Sequence, residues 1–226
     1  VEPESRGRGL NDYQGRKLGR IFRSLRSLQM RRLWQTLASK GIIELNQELK
    51  NELQSMQQED QRVLQELIDS GELGTNNYHP RMKAVHEKNN ARIKEIINQY
   101  GWPSFSLVGK EGSKAAWLVV QHAVLDTDFM DKCLPLLQNA ITQGEAEGWC
   151  LAYLQDRVLT MSGKPQKYGT QHDVDENGIA YPLPIEEPEK VETLRKEVGL
   201  EPLSDATRRI QERHNLTAAN RRENNG

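Results

Sequence analysis

A chain of 226 residues, 28% charged and 36% apolar, has room for one ordinary domain with extensions but too little apolar material to bury its whole length. Its formal net charge of -1 conceals an asymmetry, since residues 1–40 carry ten Lys/Arg against three acidic residues and leave an acidic remainder. Two cysteines (Cys133 and Cys150) exclude a disulfide scaffold, and no apolar run reaches the length of a membrane span or leader, so a soluble, cytoplasmic protein is expected.

Residues 1–20 are rich in glycine and predict a flexible arm. The chain opens on Val and its first methionine is Met30, compatible with processing or with added upstream sequence. From Ile21 to Leu37 the apolar residues recur at helical spacing with Arg20, Arg23, Arg26, Arg31 and Arg32 between them. That pattern predicts a basic amphipathic helix. Residues 16–32 are the place for an anionic partner, nucleic acid or a membrane surface, or for docking on the acidic body or a second subunit in a homo-oligomer.

A second helix is expected from about Ile43 to Ser70, on the stripe Leu45, Leu49, Leu53, Met56, Val63, Leu64, Leu67, with Gly71 and Gly74 ending it. A third starts near Pro80 and stops at Gly101, where Trp102-Pro103 forbids continuation. SFSLVGKEGS is expected as a loop, and AAWLVVQHAVL, apolar nearly all round, as a central buried helix with a strand as the alternative. Helices near 128–143 and 145–160 follow. Asn177-Gly178 between YGTQ and IAYPLP predicts a small β-hairpin at about 166–184. Two short helices close the chain, the second from Ser204 to about His214, and LTAANRRENNG is expected as a disordered tail.

The expected fold is therefore mainly α, a helix bundle with one small hairpin towards the C-terminal third. It divides into an arm with its amphipathic helix (1–40), a helical domain (41–203) and a terminal helix with its tail (204–226).

Drawn at about 100° per residue, the helices carry polar groups where the core should be. Asp60 lies amid Leu49, Leu53, Met56, Val63, Leu64 and Leu67, and Asn89 amid Met82, Val85, Ile93 and Ile96. Asp156 shares the face of Trp149, Ala152 and Tyr153, and His122 sits in the most apolar helix. A buried carboxylate without a partner costs several kcal/mol, roughly, so these groups are expected to converge and satisfy one another, a metal ion or a ligand.

On that reading His122 is a general acid or base, oriented by Asp156 or Asp60. Arg157 holds an anionic group, and Asn89, Tyr168, Thr170 and Gln171 bind a small polar substrate. A divalent metal, if present, would fall on Asp60, His122 and Asp156. The chemistry expected is hydrolysis or group transfer. The alternative is a non-catalytic binding or protein-interaction module whose buried polar network specifies the bundle.

Known signatures are missing. VGKEGSK lacks the spacing of a phosphate loop, HEKNN at His86 lacks the second histidine of HExxH, and no GxSxG turn occurs.

MQQEDQ (56–61), GWPSFSLVG (101–109), LVVQHA (118–123), AYLQDRV (152–158) and QKYGTQ (166–171) followed by PLPIE together resemble an uncharacterised bacterial helical domain family of unknown function. The resemblance covers about residues 45–203. It implies recurrent polar positions at Asp60, Gln61, His122, Asp156, Arg157, Tyr168 and Gln171, and no particular reaction.

Overall fold

Asn46 opens the first helix, its side chain accepting a hydrogen bond from the Leu49 N–H at 3.0 Å. In a computed structural model that describes residues 45–72 and 78–224, this helix, α1, runs Gln47–Asp69. The basic arm and its predicted amphipathic helix lie outside the described residues. α2 (Pro80–Tyr100) starts with proline in its first turn, where the missing N–H removes no helical bond, and ends at Gly101 in a positive-φ conformation. Arg92 holds α2 to α1 through both oxygens of Glu52, at 2.5 and 3.1 Å.

α3 (Phe105–Gln121) corrects one expectation. SFSLVGKEGS is helical from Phe105 onwards, with a single break at Gly109, whose φ of 73° suits glycine alone. Glycine recurs at Gly112 because a Cβ there would run into the Val108 side chain one turn earlier, with Lys50 of α1 also close by. α4 (Thr127–Thr142) is capped by the Asp126 side chain, and α5 (Gly148–Met161) carries Trp149 and Tyr153. These two rings meet Trp117 of α3 edge to face, with centroids 4.7 and 5.9 Å from it.

β1 (His172–Val174) and β2 (Ala180–Pro182) form the antiparallel hairpin that Asn177-Gly178 predicts, pairing Asp173 with Tyr181. Asp175 closes its turn by accepting the N–H groups of Asn177 and Ile179 at 2.9 and 2.8 Å. A 3-10 turn (Pro188–Lys190), α6 (Val191–Glu197) and α7 (Leu203–Asn224) follow. α7 packs on the hairpin, Gln211 bonding Ala180 N and Gly178 O. It also corrects the expected disordered tail, since the helix continues to Asn224. TAANRREN contains no glycine or proline, and its alanines, arginines and glutamate favour helix.

The main core joins α1 to α5 through Leu53, Ile93, Val108, Val120, Leu137 and Leu154, all fully buried. A second, smaller cluster (Val63, Leu67, Met82, Val85) lies at the far end of the α1–α2 pair. Between Met56 and Val63 on α1, and between Val85 and Ile93 on α2, the buried positions are polar: Asp60 and Asn89. A polar layer thus separates two apolar ones. Among the described residues no helix is long and apolar enough to cross a membrane.

Candidate functional site

The polar layer is where chemistry-bearing side chains gather. Asp60 is completely buried by the α1 register, and its Oδ2 lies 2.8 Å from His122 Nδ1 and 2.8 Å from His86 Nε2. Its other oxygen, Oδ1, accepts a hydrogen bond from Gln61 Nε2 at 2.9 Å. His86 is on α2, one turn before Asn89. His122 caps the C-terminus of α3, so it stands where the central helix ends rather than within it. The two imidazoles are 5.1 Å apart and tilted by 42°.

The two histidines are not equivalent. His122 makes a hydrogen bond to Asp60 and its side chain is 22% exposed, so its ring reaches the surface of the domain. His86 is 9% exposed, and its Nε2, though close to Oδ2, makes no hydrogen bond. Its Nδ1 meets the Tyr78 hydroxyl. Burial by itself would raise the Asp60 carboxyl. The contacts with His122, His86 and Gln61 outweigh it and hold the group well below the usual carboxylate range. Tyr78 is pushed up to about 12, by burial first and then by the charges of Asp60 and Glu87. The carboxylate is therefore an anion with two imidazoles on one oxygen. Ligand atoms of Asp60, His86 and His122 all lie within 4.8 Å of one another, close enough to hold one metal ion.

Asp156 is placed elsewhere. It is fully buried, and both its oxygens are committed to the loop after α5. They accept the backbone N–H groups of Lys167 (2.8 Å), Tyr168 (3.0 Å) and Thr170 (2.9 Å) and the Thr170 hydroxyl (3.0 Å). Burial pushes its carboxyl up, and these donors pull it back. The metal set expected from sequence is corrected accordingly: the third ligand atom beside Asp60 and His122 belongs to His86, and Asp156 is occupied by backbone. Nor does Asp156 orient His122, a part that falls to Asp60.

The loop residues are shaped from several sides. Fully buried Gln166 donates to the carbonyls of Gln171 (2.8 Å) and Leu183 (2.9 Å). Arg195, also buried, donates to the carbonyls of Tyr168 (2.7 Å) and Gly169 (3.2 Å). Tyr168 and Thr170 are themselves buried. Gln171 accepts from Arg157 Nε at 3.2 Å, and Arg157 Nη1 donates to the Gln121 carbonyl at 3.2 Å, next to His122. Arg157 is thus the link between the loop and the His122 end of α3. Asn89 donates to the Met56 carbonyl at 3.3 Å and leaves its buried Oδ1 without a partner among the described residues.

Sequence reasoning missed His86. The signal was present, because His86 follows Met82 by four residues and precedes Asn89 by three, on the stripe already drawn. Testing it only against HExxH discarded it. Arg195 carried no comparable signal, since its partners are loop backbone.

No solved structure and no curated protein matches the chain at a meaningful level. A family model does match, over residues 47–218, and so takes in every residue of the site and of the loop beside it. The chain therefore belongs to DUF6624, a family of unknown function.

Proposed function

We propose that the chain is an enzyme, a hydrolase or group transferase acting on a small polar molecule with an anionic group. The observation that carries this reading is the pairing of a wholly buried Asp60 with a partly exposed His122 at 2.8 Å. An anionic carboxylate accepting the Nδ1–H fixes the tautomer and leaves Nε2 as a base that faces away from Asp60. Arg157 supports the anionic part of the reading. Among the described residues its guanidinium bonds neutral acceptors, Gln171 and Gln121, and burial lowers its pKa with no carboxylate among them to compensate. Neither thiol competes as nucleophile, because burial pushes both Cys133 and Cys150 up to about 12. Two free, buried cysteines also fit a reducing, cytoplasmic setting.

The test is a hydrolysis panel of activated carboxylic and phosphoric esters, run on the purified chain and on His122→Ala. Loss of a general base lowers turnover by roughly 10²–10⁴-fold, with the melting temperature little changed because His122 is partly exposed. Unfolding of His122→Ala would instead assign the pair to structure. A non-catalytic binding module is the second reading. It is favoured by Asp156, both of whose oxygens are taken up by the protein's own loop, through three backbone N–H groups and the Thr170 hydroxyl. Turnover by no member of the panel, with a specific small-molecule ligand carried through purification, would favour it.

A further inference from the structure

The contact between His86 and Asp60 does not behave as a hydrogen bond. Nε2 of His86 is buried, 2.8 Å from Oδ2, and off the line that an N–H would need. Oδ2 already accepts from His122. If Nε2 carried a proton, that proton would be buried without an acceptor in line. If Nε2 is bare, it is a buried acceptor with no donor from the described residues. Both arrangements are unfavourable in a dry interior. One cation between the three groups removes the conflict, by taking the lone pairs of both nitrogens and of Oδ2 together.

We infer that Asp60, His86 and His122 form a mononuclear site for a divalent first-row transition ion, with at least one coordination position open beside the exposed edge of His122. The donor set is two imidazoles and one carboxylate, which suits zinc, cobalt(II) or iron(II) and disfavours magnesium and calcium. The spacing agrees. Ligands about 2.1 Å from a common ion lie about 3 Å apart along an octahedral edge and somewhat further along a tetrahedral one. The two N···O separations of 2.8 Å need a widening of only a few tenths of an ångström to become such edges.

The surroundings are also those of a ligand set. Tyr78 engages His86 Nδ1, and in the tautomer whose Nδ1–H faces the phenol oxygen Nε2 is free to coordinate. Gln61 fixes the carboxylate through Oδ1, leaving Oδ2 for the ion. Three protein ligands leave room for water, whose deprotonation a bound ion makes easy near neutral pH.

The inference rests on the same three side chains as the proposed enzyme but does not need turnover. In the ion-bound state His122 Nδ1 is a ligand and its proton sits on Nε2, so His122 serves as base only in the metal-free chain. The chain, stripped with chelator and desalted, is titrated with Zn²⁺ against a chromophoric competitor, and separately with Co²⁺ while its visible d–d bands are recorded. One equivalent of each is expected, with d–d bands perturbed from those of aqueous Co²⁺. His86→Ala and His122→Ala should each weaken Zn²⁺ binding by well over the roughly 10–100-fold typical of an outer-shell change, and Tyr78→Phe by about tenfold. Asp156→Asn should leave it unaltered, provided circular dichroism shows the variant folded. Less than stoichiometric uptake overturns the site, as does uptake that His86→Ala and His122→Ala leave intact in folded protein. Turnover that persists in the metal-free chain would overturn the metal's part while sparing the acid–base reading. Tight uptake with no turnover of any panel substrate would do the reverse.

Discussion

Asp156 and Arg195 hold opposite sides of one loop. The carboxylate accepts the N–H groups of Lys167, Tyr168 and Thr170, while the guanidinium donates to the carbonyls of Tyr168 and Gly169. The two charges come from α5 and α6, and the backbone between them is shaped as if by a mould. Gly169, at φ 68°, makes the bend that lets both reach it.

Asp156→Ala strands three N–H groups, those of Tyr168 and Thr170 buried, at about 1–3 kcal/mol for each buried one, so a loss of at least about 2 kcal/mol is expected in urea unfolding. Arg195→Met leaves two or three carbonyls short of a donor and should weaken the protein less. The double variant should lose less than the sum of the single losses, because both act on the same segment. Full additivity would show that the two grips are independent.

Asp60 governs acid stability. Its folded carboxyl is held below the ordinary value of about 3.9, so the native state binds fewer protons than the unfolded one as acid is added. The stabilisation is complete above about pH 4 and is lost as the pH falls towards the folded value. Asp60→Asn removes this dependence. Its stability should start lower at pH 7 and fall less steeply below about pH 4, followed by circular dichroism across the acid range.

Gly112 tests the packing of α3 on α1. A Cβ there would come 2.8 Å from Val108 Cβ and 3.3 Å from Lys50 Cγ. Lys50 can move, but Val108 is wholly buried. Gly112→Ala should cost about 1–2 kcal/mol, overpacking outweighing the gain in helix propensity, and lower the melting temperature correspondingly.

Arg157→Lys separates charge from shape. Lysine keeps the cation but cannot reach Gln171 and Gln121 with one planar group. For a substrate carrying an anionic group, KM should rise about tenfold, the equivalent of one lost hydrogen bond to a charge, with kcat little changed. A fall in kcat at constant KM would place Arg157 against the reacting atoms instead.

How much of this is written in the sequence depends on what each partner is. Asp60 and Asn89 declare themselves because a helix repeats every 3.6 residues, and a polar residue on the buried stripe stands out without knowledge of its neighbour. The Asn-Gly pair likewise announces the hairpin by its local backbone requirement. Asp156 was visible as buried, but its partners are backbone groups of a loop eleven to fourteen residues later, and no periodicity tells where a loop folds back. His122 was legible in kind and displaced in place. An all-apolar segment fixes no register, and only the structure shows that the helix ends at Gln121. The helical turn at 105–108 escaped notice because its glycine reads as a loop marker when it is in fact a break within a helix.

The layer of Asp60, His86 and Asn89 has a consequence for how the molecule breathes. Apolar clusters on its two sides share the α1 and α2 backbones but few side-chain contacts across it, so the outer cluster of Val63, Leu67, Met82 and Val85 can come apart while the main core stays shut. Amide exchange at residues 63–70 and 81–86 should then outpace that of 49–56 and 93–97. A bound cation would slow it selectively, acting as a rivet at the fulcrum between the two halves.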